Sequence, residues 1–276
     1  MSDGDIRLGI QIRTQGPQSD AAIMVACAEA AERAGLDDIV VVDHIAIPPD
    51  DIEGSGGRYL DPLGALLFLA AKTSHIGLGT GVLVLPYRPI LPTAKVVATL
   101  QELSGCRLRL GVGVGWMPAE FNALGVPRNQ RGRLFNEGLE FLNRAFASDR
   151  VTENGQDFMF LPRPMRPPLL IGGTPPYAFN RAVAHGDGWL PMGGRRPEKF
   201  AAPVQELRQR FADAGKGEPE IAVFTRLPFE SPDELAQRLA DWAGIGAIAV
   251  IHGGVRYADA AEFNDAAVAL SEGRNG

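Results

Sequence analysis

The sequence predicts a closed (β/α)8 barrel. Three observations lead there: short β-rich runs alternate with helical patterns almost from end to end, and the count reaches eight strands with about eight helices. The chain's 276 residues also suit an α/β barrel, which needs about 250 as one unit. Alternation of this kind demands parallel strands joined by right-handed crossovers, and eight such units close on themselves. The competing arrangement, a doubly wound open sheet, would carry a glycine-rich phosphate loop after its first strand. This chain has Gln11, Ile12, Arg13 and Thr14 there. A single domain over residues 1–276 is expected, with residues 151–166 as an inserted segment.

IRLGIQI, from Ile6 to Ile12, is the first strand. The helix around Asp20 to Ala34 follows, with apolar residues at helical spacing and Gly35 as its stop. DDIVVVDH reads as the second strand, Pro62 opens a helix to about Lys72, and IGLGTGVLV is the third strand. A helix near Pro92 to Leu103 leads into RLRLGVGVG, and another runs from about Arg131 to Ala147. The Pro-rich stretch VTENGQDFMFLPRPMRPP is too irregular for a unit of its own and holds a small hairpin at Asn154-Gly155. PLLIGG, a helix near Tyr177 to His185, DGWLPM, and a helix near Pro197 to Ala214 resume the rhythm. PEIAVFT, a helix opening at Ser231-Pro232, AIAVIHGG and a last helix complete it.

Composition narrows the function. With 45% hydrophobic and 22% charged residues the chain can build a substantial core. A formal charge of -6 leaves no global positive field for nucleic acid or an acidic membrane, so any anionic ligand must be held locally. The start, MSDGDIRLGIQIR, has acidic residues where a secretory signal would have basic ones. The longest apolar stretch, Pro62 to Ala71, is far short of the roughly 20 residues of a membrane helix. A cytoplasmic protein acting on a small molecule, with no nucleic-acid or membrane partner, is the expectation. Cys27 and Cys106 show neither CxxC nor zinc spacing, so no structural disulfide and no metal site are expected.

In such a barrel the active residues lie at the C-terminal ends of the strands. Those ends are poor in carboxylates and metal ligands: Asp43 beside His44 makes no metal site, and no spaced acid pair suits glycoside hydrolysis. No serine lies in a Gly-x-Ser-x-Gly elbow. What recurs is glycine, apolar residues and Trp116, a mouth for a large flat ligand. In LGVGVGWMPAEF, Gly111 and Gly113 begin a dinucleotide-type spacing, but Trp116 holds the third glycine's place and no helix is expected at once. Glycine inside a strand instead marks close approach by another backbone or a flat ligand.

Three stretches carry a family resemblance: DPLGALLFLAAKTSHIGLGTGVLVLPYRP, AKVVATLQELSGCRLRLGVGVGWMPAEFNALGV and PPLLIGGTPPYAFNRAVAHGDGWLP. Together they resemble the luciferase-like monooxygenase superfamily, and within it the oxidoreductases that use the deazaflavin coenzyme F420. The match runs in order over nearly the whole chain. The resemblance implies a bacterial-luciferase-like barrel with an isoalloxazine-like ring in its mouth. It places Gly113, Val114, Gly115 and Trp116 beside the ring, with Asp43 and His44 at the second strand's end. The phosphate-bearing tail falls at Ile171, Gly172, Gly173 and Thr174, where amides ahead of a helix can donate to an anion. Leu190, Pro191, Met192 and Arg195 complete the expected cofactor contacts. Gly81 and Val82 align with a non-prolyl cis bond and bulge behind the ring, an ordinary glycine-ended strand being the other reading.

His44 is expected to serve as proton partner in hydride transfer between F420 and a small organic substrate. A structural histidine held by Asp43 is the plainer reading. Gly111, deeper in the barrel, reads as a packing choice. Trp116 stands where a sugar-phosphate dehydrogenase branch has an acid, which tells against that substrate and leaves a pocket wall. Arg195, Arg196 and Lys199 are either a solvated turn or a groove for the coenzyme's polyglutamate tail. Arg13 and Arg88 are rim candidates; Cys106, His75 and His185 read as structural, and His252 takes no stated role. Alternatives are a monooxygenase using reduced FMN and oxygen, and a non-catalytic flavin-binding protein. A homodimer is expected, with the Pro62 to Lys72 helix as its face.

Overall fold

Near-continuous apolar runs such as those at residues 38–41 and 249–252 suit strands covered on both faces, and the chain buries them that way. A computed structural model describes residues 6–194, 196–254 and 256–275. The first half runs β1 (Arg7–Gln11), α1 (Ala21–Arg33), β2 (Asp38–Val41), α2 (Pro62–Ala70), β3 (Gly77–Val84), α3 (Ile90–Leu103) and β4 (Leu108–Gly113). Then come α4 (Pro118–Ala123), α5 (Arg131–Ala147) and the pair β5 (Arg150–Glu153) and β6 (Gln156–Met159). The rest is β7 (Leu169–Gly172), α6 (Tyr177–His185), β8 (Gly188–Leu190), α7 (Glu198–Asp213), β9 (Glu220–Thr225), α8 (Pro232–Gly244), β10 (Ala249–His252) and α9 (Ala260–Asn275).

Strands β1, β2, β3, β4, β7, β8, β9 and β10 pair in parallel in that order and close, β10 returning to β1. β5 and β6 form a separate antiparallel hairpin whose turn residues Asn154 and Gly155 both have positive φ, as the Asn-Gly signal requires. α4 departs from expectation. Six residues are too few to show helical periodicity, yet Pro118 at its start presets the backbone and Glu120 lies in its first turn.

The barrel interior is filled by Val40, Leu170, Leu190, Ala222, Phe224, Ala249 and Ile251, with Val42 and Val82 packed on this layer toward the mouth. A second and larger apolar layer lies between the barrel and its helices. Asp20 and Asp61 cap α1 and α2, each accepting from two backbone amides. After β2 the chain makes a long excursion that returns to the first strand's end: Gly16 N donates to Arg58 O at 3.0 Å and Leu60 N to Thr14 O at 2.9 Å. α2 turns Leu63, Leu66 and Leu69 inward, leaving Phe68 partly exposed. Among the described residues no helix is long and apolar enough to cross a membrane.

Candidate active site at the barrel mouth

The residues just past β2 are fixed by a buried ion pair. Asp43 accepts from both Arg88 Nη1 and Nη2, at 2.6 and 2.9 Å, and from the Val84 amide at 2.8 Å. Arg88 also donates to Asp61 at 2.7 Å, so one guanidinium joins the ends of β2 and β3 to the start of α2. Burial pushes the Asp43 carboxyl up against the pull of Arg88. With its acceptors used this way, Asp43 does not hold His44. That reading is corrected: the carboxylate fixes the backbone from which His44 projects.

His44 is held instead by Glu120, a residue absent from the sequence-derived site. His44 Nδ1 lies 3.0 Å from Glu120 Oε2, which also accepts from Tyr87 Oη at 2.9 Å. Oε1 accepts from the amides of Ile45 and Ala46 at 2.5 and 3.1 Å. Burial opposes ionisation of Glu120, whose side chain is 0% exposed, but the bonds from His44 and the two amides outweigh it and bring the carboxyl down to about 2. Burial and the neighbouring Glu120 both raise the Tyr87 phenol. A carboxylate with four donors on its two oxygens has no capacity left for substrate. Its effect is to require a proton on Nδ1 of His44, leaving Nε2 as the nitrogen free for chemistry.

The His44 ring makes edge contacts with Tyr59, centroids 5.2 Å apart, and with Trp116 at 6.5 Å. It lines a cavity of about 380 Å³ that spans the ends of β2, β3, β4, β7 and β8. Val42, Val82 and Leu190 give this cavity an apolar floor. The Gly81–Val82 peptide is cis, and the β3–β4 register shifts between Thr80 and Leu83. The glycines around it answer to Val82. A Cβ on Gly113 would collide with a Val82 methyl, and one on Gly172 would lie 2.8 Å from the other. These positions therefore make room for the valine on which a flat ligand would rest. Gly115 has φ +77° and faces Val84 and Phe121, while a Cβ on Gly111 would strike Thr80 O inside the barrel, a packing role as expected.

Of the expected contact residues, Asp43, His44, Gly81, Val82, Gly113, Val114, Gly115, Trp116, Gly172, Gly173, Leu190 and Met192 line this cavity together. Ile171 does not: it is 0% exposed in the layer behind the barrel. Pro191 is buried and is not part of the cavity wall. Thr174 lines a neighbouring cleft of about 510 Å³ with Trp189, Arg196 and Lys199. Arg195 lies outside the described residues. His252 is buried, its Nδ1 accepts from the Leu227 amide at 2.9 Å, and burial with the nearby Arg226 charge lowers it to about 4.

A family model described as luciferase-like monooxygenase matches residues 6–275. An uncharacterized protein of Mycobacterium tuberculosis (strain ATCC 25618 / H37Rv) is 31% identical over 252 residues, covering 83% of this chain and 86% of its own. An F420-dependent glucose-6-phosphate dehydrogenase of Kineococcus radiotolerans is 29% identical over 228 residues, with coverage of 77% and 66%. The crystal structure of a monooxygenase from Streptomyces bottropensis superposes with a TM-score of 0.79 at 21% identity, over 97% of this chain and 98% of that one, a likeness of fold.

Proposed function

The chain belongs to the luciferase-like monooxygenase family, and from that premise we propose that it is an F420-dependent oxidoreductase acting on a small organic substrate. The observation that carries this reading is His44, with Nδ1 committed to a buried carboxylate, at the edge of a cavity with an apolar floor. A non-catalytic flavin carrier would have no use for that arrangement. When bound, the deazaflavin supplies a two-electron hydride donor or acceptor.

The residues present fit such a group. Val82 and Leu190 offer a flat apolar support, and Gly172 and Gly173 bring backbone to the cavity edge. Arg196 and Lys199 stand in the adjoining cleft, where an anionic tail would run. His44 Nε2 gives or takes the proton that balances transfer at the substrate's carbon. Trp116 and Met192, 64% and 71% exposed, are apolar walls that a bound substrate would cover, keeping water from that proton.

Titrating the purified protein with F420 and with FMN, followed by fluorescence, tests the cofactor. Much tighter binding of F420 is expected; FMN binding as tightly or more tightly at physiological salt would reverse the assignment in favour of the oxygen-using reading. F420 affinity should also fall with added salt and with a shortened glutamate tail, since Arg196 and Lys199 act through charge. We also infer a homodimer, supported by Phe68 on α2 and Leu103 on α3, 39% and 70% exposed. Sedimentation should give a dimer at micromolar concentration, and a monomer throughout that range would sink the idea.

A further inference from the structure

A second cavity opens beside the end of the first strand. Arg13 follows β1, and the β1–β2 register pairs Gln11 with Val40. Arg13 leaves β1 two residues past that pair, beside the segment that carries Val42 and His44. It lines a cavity of about 890 Å³ that also receives Tyr59 and Arg256. The Tyr59 ring, in edge contact with His44, connects this cavity to the histidine.

Arg13 is half-buried, yet its side chain makes a single hydrogen bond, Nη2 to Gly54 O at 2.8 Å. Its Nε is buried with no partner, and so are Thr14 Oγ1 and Gln15 Oε1 on the next two residues. Buried polar groups are ordinarily paired, and these three are not. Arg107 shows how this chain settles a partly buried guanidinium without a carboxylate: it makes five hydrogen bonds to carbonyl and hydroxyl oxygens. Among the described residues no carboxylate lies within ion-pair distance of Arg13 or Arg256. Asp51, Glu53 and Glu262 reach the same cavity, but all three are exposed, where solvent and salt screen them.

We propose that the cavity between Arg13 and Arg256 is the subsite for an anionic group, a carboxylate or a phosphate, on the substrate whose carbon is presented to His44. This rests on the oxidoreductase reading, but it is a binding site and can be measured without turnover. Arg13 supplies a fork of donors, and Arg256 lines the same cavity and adds a second cation.

Isothermal titration of the whole protein with benzoate, the neutral isostere benzamide and inorganic phosphate is the test, done with and without F420. At least one anion should bind, benzamide should bind at least tenfold more weakly than benzoate where benzoate is the ligand, and the tighter anion identifies carboxylate or phosphate. Arg13→Gln and, independently, the exposed Arg256→Gln should each weaken that anion at least tenfold without changing F420 affinity. Arg256→Gln keeps the test valid if Arg13→Gln fails to fold. No anion binding, equal binding of benzoate and benzamide, or anion affinity unchanged in the Arg256 variant and any folded Arg13 variant would overturn the proposal. So would phosphate binding that is lost in Arg196→Gln instead, which would place it in the cofactor cleft. Loss of F420 binding with anion binding intact would instead count against the oxidoreductase reading alone.

Discussion

Replacing His44 by alanine is expected to slow hydride transfer by a factor of about 10² to 10⁴ while leaving F420 affinity nearly intact. The ring sits at the cavity edge, 22% exposed, with Nδ1 already engaged by Glu120, so only Nε2 can serve the reacting centre. Support for a bound ring comes from Val82 and Leu190, which the substitution does not touch. Some stability should be lost as well, because Glu120 keeps its charge with one donor fewer; a charged hydrogen bond of this kind is worth about 1.5–3 kcal/mol. A lowered melting temperature therefore does not separate a catalytic from a structural histidine. Single-turnover transfer on folded, F420-loaded protein does. A near-normal rate in His44→Ala would return the residue to the scaffold.

Glu120→Gln should produce the second largest effect, and on two readouts at once. Four donors converge on the two carboxylate oxygens, and an amide can accept on one atom only. If its oxygen keeps the Ile45 and Ala46 amides, its NH₂ faces His44 Nδ1, which must then accept. The proton moves to Nε2, the tautomer is reversed, and the rate should fall by a factor on the order of 10² or more. F420 affinity should persist.

The stability readout follows from the Glu120 carboxyl, which titrates near 4.5 when free and at about 2 in the fold. A depressed carboxyl contributes stability that is fully present above pH about 4.5 and is lost as pH falls toward 2. At roughly 1.4 kcal/mol per pH unit, that gap amounts to about 3 kcal/mol. Urea unfolding of the wild type between pH 5 and the acid limit should show this loss, and Glu120→Gln should lack that portion while being less stable at neutral pH. Parallel stability–pH curves for the two proteins would show that Glu120 is not held as a buried anion.

Much of this was legible along the chain because its causes are local. Hydrophobic spacing and punctuating residues mark α5 and α6 at the residues where they occur, and Asn154-Gly155 marks the β5–β6 turn. Eight alternating strand and helix units admit few closures other than a barrel, so the position of His44 at a strand end was readable too. The partner of His44 was not. Glu120 lies 76 residues away on a six-residue helix with no period to detect, and the adjacent Asp43 is engaged by Arg88 instead. The glycines at 113 and 172 likewise announced close packing without saying against what. Only the closure of β3, β4 and β7 side by side puts Val82 in the space they leave, and only β1 beside β2 brings Arg13 to the same rim. Local sequence sets which elements form, because propensity and periodicity act within a few residues. Which side chains become partners depends on contacts between distant strands, and these exist only once the barrel is closed.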